Sequence, residues 1–421
     1  KEDILSRRPF PDGAFYGGWY MDTHPSGGIY DTGKDNCVQV PVPVYQIPLR
    51  CLFNEAIPNL FFAGRIIGVD RDVFFSSRVM NTCALSGQAA ATMAAVCLDS
   101  GKGNGQLTAE DIRHVRRLLL REDMLIPGGD EPDPEDRSSE ARVTASSAHS
   151  SEAGQRSGTL ELTQGGFLVF PALAGKTLSL EVYSAQTVRL TAECTHAKLP
   201  NCYCTEFGGK TFRWDLIPGW QTLTVPVTEE DVFLQLRFSP APGVCLGLCQ
   251  RERVGFLCGQ TGSPFRFEPR AWYEEVPLYA PAAIVSAGSR PWGRPRVWIA
   301  APEDSAPSLT LRWDSPVPIR EIRLYFDPDL AMELPSSHAR HWEKSHLFAP
   351  RHGMPPQLVK DFALLGLLPD GTWKTLSAQK DQHQRLAVIP LEQPQAFRAL
   401  RLDIRGTWGN LPPVLYKISV Y

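Results

Sequence analysis

Two neighbouring stretches decide how the first part of this chain folds: Pro58-Asn-Leu-Phe-Phe-Ala-Gly-Arg65 and Ser76-Ser-Arg-Val-Met-Asn-Thr-Cys-Ala-Leu-Ser-Gly-Gln-Ala-Ala-Ala91. Residues 60–63 are an apolar run that ends at Gly64, which predicts a buried parallel strand leading to a ligand crevice. A helix is predicted from about residue 78 to residue 98, and its first N–H groups can stabilise an anion. Small residues such as Gly87 give this helix a thin side for packing. The spacing of the strand and the helix alone fits a plain α/β unit without a ligand equally well, and this is the alternative.

The composition of the 421 residues restricts the class of protein. Lys and Arg total 43 and Asp and Glu total 46, so the formal charge is −3, which argues against nucleic acid or a membrane surface as a partner. Hydrophobic residues at 43% and charged residues at 21% allow ordinary cores and exclude wholesale disorder. The 34 Gly and 36 Pro residues favour turns, and therefore strands and loops over helical bundles.

The order of patterns along the chain predicts four segments: 1–127, a linker at 128–158, 159–268 and 269–421. The first contains the helix at 78–98 and a second at 109–121, for which Thr108 is a plausible N-cap with Asp111 three residues later. The linker prediction rests on an acidic run followed by small polar residues. Runs with period-two alternation, at 159–163, 178–183, 222–227, 232–238, 309–313, 319–326, 397–404 and 416–421, predict an antiparallel β-sandwich in each of the last two segments.

The first segment resembles the C-terminal flavin-binding motif of a bacterial family of FAD-dependent oxidoreductases with a glutathione-reductase-like FAD domain. That motif is a strand ending in Ala-Gly-Arg, a loop, and a helix with Ser-x-Arg-Val-Met-x-Thr-Cys and Gly-Gln-Ala-Ala. The matching residues here are Ala63, Gly64, Arg65, Ser77, Arg78, Val79, Met80, Thr82, Cys83, Gly87, Gln88, Ala89 and Ala90. The segments 17–24 and 45–52 are also similar to the family. The resemblance therefore implies a mixed fold, with a partial α/β, Rossmann-like FAD domain before the two sandwiches.

The resemblance implies FAD as the cofactor and a set of cofactor-binding residues. The backbone near Gly64 and Arg65 would meet the pyrophosphate or ribityl chain, and the helix start would face the flavin pyrimidine edge. The whole set is Ala63, Gly64, Arg65, Ser77, Arg78, Val79 and Met80. A helix N-terminus at that place stabilises the negative charge of a reduced flavin.

No G-x-G-x-x-G turn, which binds the ADP half of FAD in this family, occurs in the 421 residues. We therefore expect the chain to be the C-terminal portion of a longer protein, with the N-terminal FAD-binding portion as its partner. The chain opens without the pattern of a secretory signal, which favours a cytoplasmic location. The most apolar window, 79–98, carries polar residues such as Asn81 and Gln88, so we expect it to be buried in protein rather than in lipid.

His24 and Asp22 are the candidate catalytic residues. In the family, their segment borders the substrate face of the flavin. A histidine there suits oxidation of an alcohol or amine, because hydride loss is coupled to proton removal, and Asp22 can orient it. A structural loop histidine is the alternative. Arg50 and Arg65 are candidates for binding an anionic group, with ordinary ion pairs as the alternative.

The ten cysteines predict no metal site. Cys83 is expected to be a small buried residue. Six others crowd into 194–258: Cys194, Cys202, Cys204, Cys245, Cys249 and Cys258. Together with His196 they could hold zinc in principle, but their spacing matches no zinc ribbon, so disulfides or free thiols are preferred.

The last segment resembles a galactose-binding-like sandwich of the discoidin or factor V type. Such modules often bind carbohydrate through loops at one end. The candidate sugar-stacking residues are Trp292, Arg294, His338, His341 and Trp342, and packing against the neighbouring segment is the preferred reading. The sequence thus predicts an FAD-dependent enzyme that transfers a hydride from a polar small molecule, with a sugar derivative as one candidate. The alternative is a non-catalytic carbohydrate-binding or interaction protein with a vestigial flavin segment.

Overall fold

A computed structural model describes residues 1–25, 27–31, 37–129, 131–199, 206–250, 252–261, 266–286, 288–330 and 353–421 of the chain. The chain divides into two units, Lys1–Asp133 and Pro134–Tyr421.

The first unit combines short strands with four α-helices in its described residues. They are, in chain order, α1 (Glu2–Leu5), β1 (Gly13–Gly17), β2 (Met21–Thr23), β3 (Val38–Val40), β4 (Tyr45–Pro48), α2 (Arg71–Ser77), α3 (Met80–Ser100) and α4 (Ala109–Arg121). Strand β1 pairs with β4, and β2 pairs with β3, both antiparallel. Every strand pair in the described part of this unit is antiparallel, so the parallel strands of a Rossmann-like domain are not seen there.

Helix α4 forms where its capping signals predict. The Thr108 hydroxyl accepts a hydrogen bond from the Asp111 N–H at 3.3 Å, and the Asp111 carboxylate accepts one from the Thr108 N–H at 2.7 Å. This reciprocal pair satisfies N–H groups that the first turn leaves unpaired. Helix α3 packs on α4 and β1 through Ala89, Met93 and Val96, and it ends at Gly101, whose φ of +65° suits glycine. No helix in the described residues is both long and apolar enough to span a membrane.

One prediction for the first unit is wrong, and the bounds of a second shift by two residues. Residues 60–63 do not form a buried parallel strand: Leu60 is 40% exposed, and Phe61 makes only an isolated antiparallel bridge to Phe53. The Leu60 carbonyl instead accepts a hydrogen bond from the Asn104 side chain at 3.0 Å, which fixes a loop. The long helix begins at Met80 rather than residue 78, because Val79 is extended and separates it from α2.

The second unit consists almost entirely of antiparallel strands in its described residues. They are β5 (Arg142–Ala145), β6 (Arg156–Glu161), β7 (Gly166–Pro171), β8 (Thr177–Ser184), β9 (Val188–Ala197), β10 (Glu206–Leu216), β11 (Gly219–Pro226), β12 (Phe233–Phe238), β13 (Val244–Cys249), β14 (Leu257–Gln260), β15 (Glu268–Pro269), β16 (Ala271–Trp272), β17 (Trp298–Ile299), β18 (Ser308–Phe326), β19 (Val359–Leu367), β20 (Trp373–Gln379), β21 (Leu386–Thr407) and β22 (Val414–Val420). The predicted β-sandwich architecture is confirmed.

The first sandwich stacks two sheets. One has the order β10-β9-β12-β7-β14, and the other has the order β11-β8-β13-β15, with β16 beside β8 and β6 beside β13. Strand β8 shows why these residues form such a layer: Leu178, Leu180 and Val182 are buried in the core, and the residues between them are not. This is the period-two alternation of a strand with one covered face.

The second sandwich is one seven-stranded sheet with the order β17-β22-β18-β21-β19-β20, in which β5 also pairs with β18. The pairing of β18 with β21 shifts register between Arg312 and Val317. The predicted strands 309–313 and 319–326 are therefore two halves of β18. Leu311 and Leu324, one from each half, belong to the same core cluster, so the sheet folds over on itself.

The segment predicted to be a linker is folded in the second unit. Strand β5 pairs with residues 309–312 of β18, and Val143 packs against the core. Ser151 is fully buried and donates a hydrogen bond to the Tyr273 carbonyl at 2.8 Å. The small polar residues of this segment led to the prediction of a linker. They nevertheless fit a strand, because a strand with one covered face needs an apolar side chain only at every second position.

Candidate functional site

The hairpin of β2 and β3 brings three chemically active side chains together. Its register pairs Asp22 with Gln39 and Thr23 with Val38, which places His24 opposite Cys37 at the end of the hairpin. The His24 Nε2 atom lies 3.3 Å from Asp22 Oδ2, and the Cys37 thiol donates a hydrogen bond to Asp22 Oδ1. The predicted pair His24 and Asp22 is therefore in contact, and sequence reasoning missed Cys37. No sequence motif marks Cys37; only the register of the hairpin brings it beside Asp22.

Arg78 fixes this hairpin from the side of the helices. It is the C-cap of α2, and its guanidinium donates a hydrogen bond to the Asp22 carbonyl at 2.9 Å. The same group lies 3.9 Å from Asp22 Oδ2. Arg78, one of the residues that match the flavin motif, thus contacts the candidate catalytic pair.

The electrostatics around Asp22 favour its ionised form. Partial burial alone would raise its pKa, but the hydrogen bonds from Cys37 and Gln39 and the nearby charge of Arg78 hold the pKa of this carboxyl below its usual value. The hydrogen bond to Asp22 raises the pKa of the Cys37 thiol, and burial adds to this effect. The pair therefore consists of a carboxylate and a neutral thiol near neutral pH.

The Ala63-Gly64-Arg65 corner is an exposed backbone turn. Gly64 has φ +73°, and a Cβ placed there would meet no other atom within 4 Å. Its N–H donates to Ser86 Oγ on α3 at 2.7 Å, so that the corner is held against the helix. The positive φ explains the glycine, and the open space above it leaves the backbone accessible to a ligand.

The N-terminus of α3 is open. Its N-cap, Val79, has no side chain that can accept a hydrogen bond from the first turn, so the early N–H groups have no cap from it. The first helical residue, Met80, is 87% exposed, and Ile66 in the neighbouring turn is 70% exposed. Ser77, by contrast, is buried in α2 and does not belong to this surface.

Three arginines surround two phenylalanines of α2. Arg65 lies over Phe74 at 5.4 Å from the ring centroid, Arg71 lies over Phe75 at 5.6 Å, and Arg78 lies over Phe75 at 5.2 Å. Cation–π contacts of this kind hold guanidinium groups without neutralising them. The cluster places three guanidinium groups at the corner next to α3, and that of Arg78 also lies 3.9 Å from Asp22 Oδ2.

The structure also describes Arg50 and most of the cysteines singled out in the sequence. Arg50 forms an ion pair with Asp12, as the alternative reading held. Cys83 is only half-buried, and burial raises the pKa of its thiol. The described cysteines of 194–258 are free thiols. Cys202 and Cys204 lie outside the described residues.

One group in the described residues can hold a metal ion: Asp22, His24 and Cys37, whose ligand atoms all lie within 4.8 Å of one another. His196 and the described cysteines of 194–258 form no such group.

The candidate sugar-stacking residues are only partly described. His338, His341 and Trp342 lie outside the described residues. Trp292 is half-buried and Arg294 is exposed. The N–H of Gly293, between them, donates to the carbonyl of Lys198, the residue directly after β9, at 2.7 Å. This contact ties the loop that carries Trp292 and Arg294 to the first sandwich.

Comparison with known proteins bears on the first unit. The model of the FAD dependent oxidoreductase family matches residues 1–119. This family is FAD-dependent, which supports FAD as the cofactor and agrees with the flavin motif around Gly64 and Met80. No curated protein matches the chain.

Solved carbohydrate-binding modules show a distant likeness to part of the chain. The family 32 module from Streptococcus pneumoniae EndoD is 16% identical, with 30% of this chain and 75% of that chain covered and a TM-score of 0.22. The family 32 module from C. perfringens NanJ in complex with galactose is 8% identical, with 35% and 85% covered and a TM-score of 0.24. Similarity this low supports no inference about a ligand of this chain.

Proposed function

We propose that residues 1–133 form the part of an FAD-dependent oxidoreductase site that faces the isoalloxazine and ribityl groups of the cofactor. The substrate is a polar small molecule that loses a hydride, with a sugar derivative as one candidate. The observation that carries this proposal is the open N-terminus of α3 beside the exposed turn at Gly64, in the segment that matches the oxidoreductase family.

The residues at this surface fit a flavin. A flat apolar ring system would cover Met80 and Ile66, which water now contacts. The uncapped N–H groups of α3 suit the anionic edge of the reduced ring, and Gly64 leaves its backbone open to the ribityl chain. The candidate holding residues remain Ala63, Gly64, Arg65, Ser77, Arg78, Val79 and Met80, among which buried Ser77 supports the helix junction.

The roles of the hairpin residues follow from their hydrogen bonds. Bound FAD supplies the hydride acceptor. The His24 side chain is 52% exposed, and because its Nε2 atom contacts Asp22, the opposite ring nitrogen, Nδ1, accepts the proton of a substrate hydroxyl or amine. Asp22 holds the imidazole and stabilises its protonated form, and Arg78 fixes Asp22 through the backbone carbonyl. A variant His24→Gln keeps the side-chain size but removes the proton acceptor.

The ADP half of the cofactor needs a dinucleotide-binding portion with a Gly-rich turn, and we propose that this portion is the partner of the first unit. Support comes from exposed apolar side chains on the described part of this unit: Ile57, Leu60, Ile66 and Met80 are between 40% and 87% exposed. A partner that covers them removes apolar area from water.

Flavin binding to the chain tests the proposal. Riboflavin is titrated into the chain, and its fluorescence is followed at each addition. We expect weak, saturable quenching that Met80→Lys abolishes. The matched control is Leu98→Lys, because Leu98 is also on α3 and 82% exposed but lies near its other end. Absence of quenching, or equal loss in both variants, contradicts the proposal and favours a non-catalytic binding protein.

A further inference from the structure

The end of the β2–β3 hairpin carries a set of metal-ligating side chains in addition to the pair proposed for proton transfer. Asp22, His24 and Cys37 offer an oxygen, a nitrogen and a sulfur atom from one end of the hairpin. Asp22 lies in β2, His24 directly follows β2, and Cys37 directly precedes β3, so the register brings the three residues to the same end of the hairpin. The three ligand atoms all lie within 4.8 Å of one another, so one ion can reach all of them.

The separations suit a tetrahedral ion. Zinc binds His nitrogen and carboxylate oxygen at about 2.0–2.2 Å and Cys sulfur at about 2.3 Å, so that two ligands of a tetrahedron lie roughly 3.3–3.7 Å apart. His24 Nε2 and Asp22 Oδ2 are 3.3 Å apart. This pair needs no rearrangement, and the Cys37 sulfur moves outward from its hydrogen bond with Asp22 to make room for the ion.

Charge and access are also suitable. A carboxylate and a thiolate balance the charge of a divalent ion, and the thiol proton leaves to solvent on binding. The Gln39 amide donates to Asp22 Oδ1 at 3.3 Å, and the Arg78 guanidinium lies 3.9 Å from Asp22 Oδ2, so both hold the carboxylate from outside the ligand set. The His24 side chain is 52% exposed, which leaves a fourth position open to water.

We propose that Asp22, His24 and Cys37 bind a divalent transition-metal ion of the zinc class, with water as the fourth ligand. An imidazole that binds an ion through Nε2 carries its proton on Nδ1, the atom that accepts the substrate proton in the proposed function, so metal binding and proton transfer exclude each other. Only this consequence rests on the proposed function. The site itself stands on the hairpin geometry.

Titration of the reduced full chain with Co²⁺, in the absence of flavin, tests the site. We expect one equivalent to produce visible bands of tetrahedral cobalt and a sulfur-to-cobalt charge-transfer band, both displaced by Zn²⁺. Cys37→Ser removes the charge-transfer band, and His24→Gln and Asp22→Asn weaken binding at least about tenfold.

Two matched controls keep the test specific. Cys245→Ser changes another half-buried thiol, and Cys51→Ser changes a thiol in the same unit; both keep the bands. Absence of a sulfur band in the unmodified chain, or a band that survives in Cys37→Ser, overturns the proposal. Since the titration contains no flavin, its failure leaves the riboflavin result intact, and the reverse also holds.

Discussion

The two units differ in how they treat apolar surface. Of the fourteen exposed large hydrophobic side chains in the described residues, nine lie in Lys1–Asp133 and five in the much longer Pro134–Tyr421. The second unit buries its apolar residues in two extended clusters, one in each sandwich. The first unit has one smaller cluster and leaves Met80, Ile66 and Leu98 in water.

The second unit covers its apolar side chains with its own layers, whereas the first unit leaves a face that a ligand or a partner can bind. Sandwiches pair every layer with another layer of the same unit. In the first unit, the surface around Gly64 and the start of α3 has exposed apolar side chains beside uncapped N–H groups. Such a combination suits an amphipathic ligand rather than a purely apolar or purely charged one.

The largest effect is expected from the buried ion pair of the second unit. Arg253 and Glu268 are both 1% exposed, and the Arg253 guanidinium also donates to the Ser151 and Ala271 carbonyls. Glu268→Gln leaves an uncompensated buried charge and lowers the free energy of unfolding by about 3–5 kcal/mol. Denaturant unfolding measures the change. The control is Asp215→Asn, in an exposed pair with Arg189, which gives no measurable change; similar losses in both variants contradict the self-contained core.

Alkaline pH weakens the first unit through Tyr45. Burial raises the pKa of this phenol to about 12, although its hydrogen bond to Ser76 opposes the shift. Since the folded state favours the neutral phenol, its contribution is complete below about pH 10 and is lost as pH rises towards 12, by up to about 2–3 kcal/mol.

The difference between wild type and Tyr45→Phe isolates this contribution from the thiols that titrate in the same range. Unfolding free energies at about pH 9 and about pH 11 give the slope for each protein. We expect a steeper decline for the wild type. Parallel declines would mean that Tyr45 is not the group responsible.

A smaller effect is expected at the start of α4. Thr108→Ala removes the side-chain cap and costs about 1 kcal/mol. Hydrogen exchange of the α4 amides reports it as a roughly fivefold loss of protection. Thr108→Ser, which keeps the hydroxyl, restores protection; a failure to do so would show that the cap is not the cause.

The smallest effect on stability is expected at the exposed face itself. Ile66→Lys changes the unfolding free energy by less than about 0.5 kcal/mol, because this side chain is 70% exposed. Its neighbour Ile67 is only 6% exposed, and Ile67→Ala costs about 2–4 kcal/mol. Equal costs in thermal or denaturant unfolding would place Ile66 in the core and remove it from the binding face.

The sequence predicted those elements whose signals are local. Helix α4 follows from Thr108, Asp111 and its periodicity, and β8 follows from strict alternation of Leu178, Leu180 and Val182. Motif resemblance predicted the oxidoreductase family over a range close to the one that matches, residues 1–119.

Features that depend on distant partners were not predictable. Residues 60–63 are apolar enough for a buried strand, but Asn104 fixes them as a loop. Val79 is extended between α2 and α3, and the adjacent Arg78 donates a hydrogen bond to the Asp22 carbonyl, a partner 56 residues away in the sequence. Cys37 joins His24 only through hairpin register, and no spacing rule in the sequence contains that information.

The most direct test of the central proposal is the ratio of FAD to riboflavin affinity for the full chain. The proposed surface meets only the isoalloxazine and ribityl groups, so the ADP half of FAD adds no contact here. We therefore predict dissociation constants that agree within about threefold, which is less than 1 kcal/mol. FAD binding that is about a hundredfold tighter than riboflavin binding would show that the chain holds the whole cofactor and would contradict the account.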